Sequence, residues 1–419
     1  MIAGNIVEIN KHWEERLSVN DSGAYKKTID NFCTILENEY NGKILYNELA
    51  NMVETDKKKP FETVDYDKIQ REIEKKYGIY DVKKLNSAIR IVAENHKYHP
   101  VKEYLDNLKW DGISRVETCL EEYLGTREEE RDYNAMCLRL FLFGAIERAL
   151  NPGAKFDYML IINGAQGIGK SSFFKIMCGD NLSFYQENFN NFEKAFEYTN
   201  GKWIVEIAEL NAFSKTDINF LKTYITTSSE TYRIPYEPTP KQYLRQFVLF
   251  GTTNESNFIP DDPTGERRFV VIEAANDSRK KEIKKKIYSK ESFYELQQVL
   301  AEVYCEYKDG RKFLEIPEDF REQVTMKNKE FKYDDGLTGM IEQYLSNKTE
   351  CCVQEVFNRV IYPLGYIKYT KALGTRIQEI IIRIPGWKKY SKSKDHRKWF
   401  QDYGKQIAFE RTMWNDGNK

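Results

Sequence analysis

The residues best suited to chemistry lie between Gly164 and Ser172, in the sequence GAQGIGKSS. Glycines allow a loop to curl until its backbone N–H groups point at one anion, and the positive end of a following helix adds to the attraction. The spacing G-x-x-x-x-G-K-[ST] is typical of a loop that holds the phosphates of a nucleoside triphosphate. We predict that the following residues bind the nucleotide: Gly164, Ala165, Gln166, Gly167, Ile168, Gly169, Lys170, Ser171 and Ser172.

Two side chains of this loop have distinct predicted roles. The Lys170 ammonium is expected to reach the β- and γ-phosphates, and the Ser171 hydroxyl is expected to ligate Mg²⁺. ATP and Mg²⁺ are therefore the predicted ligands. The apolar run at 158–162 and the apolar helical pattern after the loop supply the strand–loop–helix setting that this motif requires.

Two acidic residues lie in the next apolar run, KWIVEIAEL at 202–210. A carboxylate inside such a run is costly to bury without a partner, which favours a functional role for Glu206 and Glu209. One is expected near Mg²⁺ and the other is expected to act on the attacking water. The chain lacks an adjacent Asp-Glu pair, so the sequence leaves the two roles open, with Glu206 as the candidate for the metal side.

Three polar residues border the two remaining apolar runs of this region. Asn254 ends the run at 246–254, where it can sense the γ-phosphate and orient water, or can simply close an Asx turn. Arg267 and Arg268 begin the run at 267–275. Paired arginines can form surface salt bridges, or one can act as an arginine finger on a neighbouring subunit's γ-phosphate. We predict that Asn254 and Arg268 are catalytic.

The elements that position these residues follow from the same four runs, which are continuous rather than alternating and are bounded by polar turns. That pattern is typical of parallel strands covered on both faces. Together with the helical patterns between them, the runs predict an α/β fold around a central parallel sheet. We expect four domains. They are a helical domain at 1–150, the nucleotide-binding core at 151–276, a helical extension at 277–336 and a basic C-terminal domain at 337–419.

Composition sets the outer limits of function. The 419-residue chain is 41% hydrophobic and 14% aromatic, as expected for a globular protein, and its net charge of −1 gives no global attraction to nucleic acid. Its seven cysteines form no C-x-x-C pair and its four histidines do not cluster, which argues against a zinc site and favours reduced thiols. We expect a cytoplasmic protein without a signal peptide or membrane span.

The motifs GAQGIGKS, KWIVEIAEL, YRIPY and GTTN, followed by DPTGERRF, resemble those of the virulence-associated E family. That family comprises ATPases of phages and mobile elements that are related to superfamily 3 helicases. The resemblance implies an AAA+ ring, a homo-hexamer that translocates on DNA during replication. Some relatives carry an N-terminal primase domain, but residues 1–150 show neither a zinc motif nor an acidic polymerase site.

The segment 232–241 lies where related helicases place a hairpin in the central channel. Its aromatic and basic residues suit single-stranded DNA, because positive charge follows the backbone while rings stack on bases. We predict DNA contacts from Arg233, Tyr236 and Lys241. A proline-stiffened surface loop is the alternative interpretation.

The C-terminal segment 364–411 carries 12 Lys and Arg against 4 acidic residues, a net charge of +8 in a chain whose total net charge is −1. An amphipathic helix at 369–384 followed by a turn resembles a winged helix that binds duplex DNA. A basic subdomain that docks on a partner is the alternative. The predicted duplex contacts are Arg376, Arg383, Lys388 and Lys389.

The sequence therefore predicts a DNA-dependent ATPase of the helicase type, with single- and double-stranded DNA as partners. One alternative is an AAA+ remodeller that acts on a replication protein. Another is a nucleotide-switched DNA-binding initiator or interference protein with weak turnover. The hairpin and the paired arginines favour the motor, whereas the basic C-terminus alone would also suit the switch.

Overall fold

The computed structural model describes residues 11–179, 182–210, 215–233, 239–255, 258–259, 266–275, 280–331, 337–365 and 368–412. The chain divides into two compact units, at 1–331 and 332–419. The domain boundaries expected at 150 and 276 both fall inside the first unit.

The N-terminal part of the first unit combines helices with a small sheet. Its elements are α1 (Ile29–Glu39), α2 (Thr63–Tyr77), α3 (Val82–Asn95), β1 (Ile44–Asn47), β2 (Met52–Thr55) and β3 (Lys97–Tyr98). The strand order is β2-β1-β3, antiparallel in the first pair and parallel in the second. The sequence predicted mostly helices here. The small sheet was not anticipated, because strands of two to four residues leave no readable periodicity.

Three helices connect this part to the central sheet: α4 (Pro100–Asn107), α5 (Cys119–Leu124) and α6 (Arg131–Leu150). Helix α6 is buried on nearly every side, as its apolar sequence predicted, and its side chains share one core with the sheet. A domain boundary at residue 150 would cut this core. No helix in the described ranges, α6 included, has the length and apolarity needed to cross a membrane.

The central sheet contains five described strands, all parallel. They are β4 (Met159–Asn163), β5 (Tyr185–Gln186), β6 (Ile204–Ala208), β9 (Val248–Thr253) and β10 (Phe269–Glu273), in the order β10-β4-β9-β6-β5. The predicted α/β fold with a parallel sheet is confirmed, and the four predicted strands are all present. Because the strands are parallel, their carboxyl ends share one edge, and the loop after β4 lies there.

Both faces of this sheet are buried. Leu160 and Ile162 point into the core formed with α6, whereas Met159 and Ile161 point into a second core on the opposite face. The helices that surround the sheet are α7 (Lys170–Met177), α8 (Ala195–Thr199), α9 (Lys215–Thr226), α10 (Lys280–Ile287), α11 (Lys290–Lys308) and α12 (Glu318–Glu330). Burial on two faces explains the continuous apolar runs of the sequence.

A two-stranded antiparallel hairpin leaves the sheet before β9. Its strands are β7 (Ser229–Tyr232) and β8 (Lys241–Leu244), with Tyr232 opposite Lys241 in the register. Buried Arg148 of α6 anchors the chain just after the hairpin, since its guanidinium donates to the carbonyls of Phe247 (2.9 Å) and Phe156 (2.8 Å). Arg148 therefore links the chain that follows the hairpin to the chain that precedes β4.

The second unit has its own core and a four-stranded sheet. Its elements are α13 (Leu337–Leu345), β11 (Glu350–Cys352), α14 (Val353–Val356) with a π-helical continuation (Phe357–Ile361), α15 (Lys371–Arg383), β12 (Trp387–Lys389), β13 (Arg397–Phe400) and β14 (Gly404–Arg411). Strand β14 pairs antiparallel with β11, β12 and β13. The predicted helix at 369–384 is present, and three strands follow it where a strand and a turn were expected.

Candidate functional site

The glycine-rich loop turns directly from β4 into α7. Gly169 caps the helix with a φ of +102°, and a Cβ at that position would lie 2.7 Å from Cγ2 of Ile287. Both the positive φ and the close approach require glycine there. The requirement for glycine at this position of the motif thus comes partly from helix α10, which ends at Ile287 and packs on the loop.

Lys170 is the first residue of α7 and is buried, with 9% of its surface exposed. Its ammonium donates to the carbonyl oxygens of Gly164 (2.6 Å) and Ala165 (2.9 Å). These contacts hold the positive charge inside the curl of the loop. The predicted contact of Lys170 with the β- and γ-phosphates stays a prediction.

Glu206 on β6 is 2% exposed and accepts three hydrogen bonds from hydroxyl groups. Its Oε1 accepts from the Ser171 hydroxyl at 2.6 Å and from Thr252 at 2.9 Å. Its Oε2 accepts from the Tyr185 hydroxyl at 2.7 Å. The buried carboxylate that the sequence marked as costly is therefore fully partnered.

Tyr185 is a functional residue that sequence reasoning missed, since β5 is only two residues long. Burial, followed by the negative charge of Glu206, raises the pKa of the Tyr185 hydroxyl far above its usual value. Tyr185 therefore stays protonated and acts as a fixed donor to Glu206.

The pair formed by Ser171 and Glu206 fits the predicted Mg²⁺. Both supply hard oxygen atoms, and Mg²⁺ in nucleotide sites is held by one or two protein ligands together with phosphates and water. The described residues contain no cluster of three or more His, Cys, Asp or Glu with the geometry of a metal site. A site that depends on substrate oxygens does not require one.

An open cleft lies at the carboxyl ends of the strands of the sheet. Six of the predicted loop residues line it: Gln166, Gly167, Gly169, Lys170, Ser171 and Ser172. Glu206, Glu209 and Asn254 line it as well. The geometry thus brings the predicted loop, both acids and the strand-end asparagine together.

Three other predicted loop residues have framework contacts instead. Ile168 is fully buried in a small cluster with Ala275 and Ile283, and the backbone N–H of Ala165 donates to the Ala275 carbonyl at 3.1 Å. Gly164 likewise donates its backbone N–H to Thr253, at 3.1 Å. These bonds hold the loop against the ends of β9 and β10.

Glu209 differs from Glu206 in both exposure and backbone conformation. It follows β6, is exposed at the cleft and has a φ of +53°. A left-handed conformation at a non-glycine residue costs of order 1 kcal/mol and is concentrated at functional sites. The two carboxylates thus occupy different environments, one buried on Ser171 and one open to the cleft.

Two further residues line the cleft and were not predicted, Asn188 and Tyr288. Asn188 has a φ of +51° and precedes Phe189, whose backbone N–H donates to the carbonyl of Glu206 at 2.8 Å. Asparagine tolerates the left-handed region, so an Asn beside a short strand was the available signal. Nothing in the sequence spacing connects Tyr288 to the loop.

Arg267 and Arg268 lie at the amino ends of the strands, whereas the loop lies at their carboxyl ends. They precede β10, which pairs in parallel with β4 so that Phe269 faces Met159 and Glu273 faces Asn163. A strand of five residues spans roughly 15 Å. The structure therefore does not bring Arg268 to the cleft of its own chain. Both arginines line a separate open groove with Lys155 and Arg321.

Two of the three predicted hairpin contacts lie in the described part of the chain. Arg233 and Lys241 are exposed at the end of the hairpin, and Tyr236 lies outside the described residues. Tyr232 packs inward, since its ring stacks on Phe196 with centroids 4.4 Å apart. The basic side chains therefore face solvent while the nearest ring supports the hairpin.

The residues of the second unit that were predicted to contact duplex DNA differ in their exposure. Lys388 and Lys389 on β12 are exposed, and Lys388 forms an ion pair with Glu410 at 3.6 Å. The Arg376 side chain is only 14% exposed and lies 4.0 Å from Glu379. Arg376 is therefore packed into the unit rather than presented on its surface. The Arg383 side chain lies outside the described residues.

The family model of the virulence-associated protein E-like domain matches residues 105–333, more than half of the chain. The chain belongs to this family. The match covers the loop, both acids, Asn254, the hairpin and the paired arginines. It begins in α4 and ends two residues after the first compact unit, so the family domain includes α6 and α12.

Solved structures similar to this family member include two of the C-terminal region of NrS-1. The first is 15% identical with a TM-score of 0.49 and covers 93% of this chain and 100% of that chain; the second is 16% identical, also at 0.49. The structure of JCV helicase is 10% identical with a TM-score of 0.28 and covers 63% of this chain and 79% of that chain. No curated protein sequence matches. Family membership therefore rests on residues 105–333.

Proposed function

We propose that this protein is a DNA-dependent ATPase of the helicase type, which couples ATP hydrolysis to translocation on DNA. The observation that carries the proposal is the meeting of Lys170, Ser171 and two differently placed carboxylates in one cleft. Membership of the virulence-associated protein E-like family supports it. A ring of six subunits, as in the related helicases, is part of the proposal.

Each residue of the cleft has a proposed task. The backbone N–H groups of the loop and the Lys170 ammonium bind the phosphates, and Ser171 and Glu206 hold Mg²⁺. Mg²⁺ held there would supply positive charge that neutralises the negative charge developing on the phosphates during hydrolysis. Glu209 polarises the attacking water, and Asn254 orients it beside the γ-phosphate.

The different environments of the two acids support this division of roles. Glu206 has both oxygens occupied by hydroxyl donors and is shielded from solvent, so it suits a fixed ligand rather than a group that exchanges protons with water. Glu209 is exposed in the cleft and makes a better acceptor for a proton from water. Tyr185 acts as a positioning residue that fixes the rotamer of Glu206.

We expect the two acid variants to differ. Glu209→Gln should bind ATP with nearly normal affinity and lose hydrolysis, because the amide cannot accept the proton of water. Glu206→Gln should lose hydrolysis and also require more Mg²⁺, because a ligand is weakened. Hydrolysis and ATP binding measured across a Mg²⁺ titration test this, with Glu255→Gln as a control outside the cleft. The opposite pair of phenotypes would exchange the two roles.

Coupling to DNA is proposed through two basic surfaces. In the first unit, Arg233 and Lys241 present positive charge at the end of the hairpin, which is tied to β4 through Arg148. In the second unit, the net charge of +8 at 364–411 includes exposed Lys388 and Lys389. The first surface is proposed to follow single strands, and the second to bind duplex DNA.

The two surfaces should be separable by mutation. Deletion of residues 337–419 should weaken duplex binding by at least about tenfold at low salt while basal ATP hydrolysis stays nearly unchanged, since phosphate contacts are lost but no cleft residue is. Arg233→Ala combined with Lys241→Ala should instead reduce the stimulation of hydrolysis by single-stranded DNA. Filter binding across a salt titration and steady-state ATPase assays measure both. Unchanged duplex affinity in the deletion variant would contradict the assignment.

The most direct test of the function is the ATPase rate with and without single-stranded DNA, together with the mass of the protein in solution. A motor should be stimulated by DNA and should form a closed oligomer. The basic second unit also favours a nucleotide-switched DNA-binding protein. In that case turnover would be slow and insensitive to DNA, while ATP would change the affinity for duplex DNA.

A further inference from the structure

The chain makes a rigid corner between α10 and α11, at residues 287–292. Ile287 is fully buried against Gly169, and Ser292 is 1% exposed. The Ser292 hydroxyl donates to the carbonyl of Ile287 at 2.7 Å, and its backbone N–H donates to the Ser289 side chain at 3.2 Å. This cap fixes the start of α11 and therefore the direction of every side chain in the corner.

Tyr288 is the exception to the burial of this corner. Its side chain is 59% exposed, and it lines the nucleotide cleft. Its hydroxyl lies 2.7 Å from the Ser172 hydroxyl. The Tyr288 ring lies directly beside the phosphate-binding loop, and its backbone is fixed by the corner. The protein buries little of its apolar area. The ring is therefore available to a ligand.

The position of Tyr288 along the bound nucleotide follows from the helix geometry. Ser171 faces Glu206, which marks the metal and γ-phosphate end of the cleft. Ser172 is the next residue of α7, so it is rotated by about 100° around the helix axis. Tyr288 contacts Ser172, on a different side of α7 from the acids. The nucleoside is the end of the nucleotide that points away from the γ-phosphate. Tyr288 therefore lies toward the nucleoside end of the cleft.

We propose that the Tyr288 ring forms the nucleoside subsite of the cleft by stacking on the base of the bound nucleotide. This inference rests on the proposed function, because it assumes that the loop holds a nucleoside triphosphate. The corner at 287–292 positions the ring and the Ser172 hydroxyl sets its tilt. Stacking is available to every base, since each has a π face. The subsite should therefore add affinity for ATP and GTP alike.

Binding of two probes by isothermal titration tests the subsite. They are a non-hydrolysable ATP analogue and inorganic tripolyphosphate, which has no nucleoside. Tyr288→Ala should weaken binding of the ATP analogue by about five- to 100-fold and leave tripolyphosphate binding unchanged, because only the stacking contact is lost. Tyr288→Phe and Tyr288→Trp should keep the affinity of the wild type, since both retain a ring. Tyr80→Ala removes another tyrosine, 48% exposed and away from the cleft, and should have no effect.

Three outcomes would overturn the inference. Equal weakening of both probes by Tyr288→Ala would show that the side chain supports the loop rather than the base. Loss of affinity in Tyr288→Phe as large as in Tyr288→Ala would assign the effect to the hydroxyl bond with Ser172. Normal binding of the ATP analogue by Tyr288→Ala would leave the ring with no role. Failure of the wild-type protein to bind the analogue would instead refute the proposed function itself.

Discussion

Replacement of Lys170 by alanine should lower ATP turnover by about 100- to 1,000-fold, the loss seen when one preorganised charge or donor is removed from a site of phosphoryl or acyl transfer. The buried ammonium is held by two carbonyl groups inside the loop, so the substitution removes a positive charge that is fixed in the phosphate site. Steady-state phosphate release at saturating ATP measures the effect.

Lys175→Ala is the matched control for this variant. Lys175 lies on the same helix, forms an ion pair with Glu187 and is 38% exposed in its side chain, but it does not line the cleft. Its removal should leave turnover within about twofold of the wild type, since exposed ion pairs contribute little. Turnover by Lys170→Ala close to that of Lys175→Ala would remove the basis of the ATPase proposal.

The second large effect is expected at Arg268. We expect Arg268→Ala to bind ATP normally and to hydrolyse it about a thousandfold or more slowly, as when an arginine finger is removed. Arg268 lies at the amino end of β10, and the loop lies at the carboxyl end of the paired strand β4. An arginine at this end of the sheet could act only on the cleft of another subunit, which the proposed ring would supply.

A mixing experiment tests this shared site. Arg268→Ala and Lys170→Ala proteins should each be inactive alone. In mixed rings, interfaces that join an intact Lys170 cleft to an intact Arg268 should regain measurable hydrolysis. Arg267→Ala serves as the neighbouring control and should be less severe, because adjacent residues project in different directions. Mixed rings verified by mass that regain no activity would contradict the shared-site proposal.

Much of the central sheet could be predicted from the sequence, because its strands are buried on both faces. Each such strand appears as a continuous apolar run. Strands β6, β9 and β10 lie within predicted runs, and β4 overlaps the run at 158–162 and ends one residue beyond it. Strand β5 was missed because two residues carry no periodicity. The sheet of β1–β3 was missed for the same reason, within a region whose patterns predicted mostly helices.

The residues that line the cleft could be anticipated where a motif links residue type to spacing. The loop, Glu206, Glu209 and Asn254 follow strands of one parallel sheet, so their convergence could be anticipated. Tyr185 and Tyr288 could not be predicted, because their contacts with Glu206 and Ser172 join segments separated by 21 and 116 positions. The burial of the Arg376 side chain could not be anticipated, because a basic residue on an amphipathic helix looks exposed unless the neighbouring elements are known.

The order of strands in the central sheet also decides when the cleft can assemble during synthesis. Strand β4 lies between β9 and β10, and more than a hundred residues separate it from β10. At ribosomal rates of about 5–20 residues per second, the nascent β4 waits roughly 5–20 s for its last neighbour. Throughout that interval α6 has no complete sheet to cover its apolar surface. Helices α10 and α11 follow β10 in the chain, and they supply the contact with Gly169 and part of the core around α6. Assembly of the cleft therefore depends on contacts between segments that are far apart in the sequence.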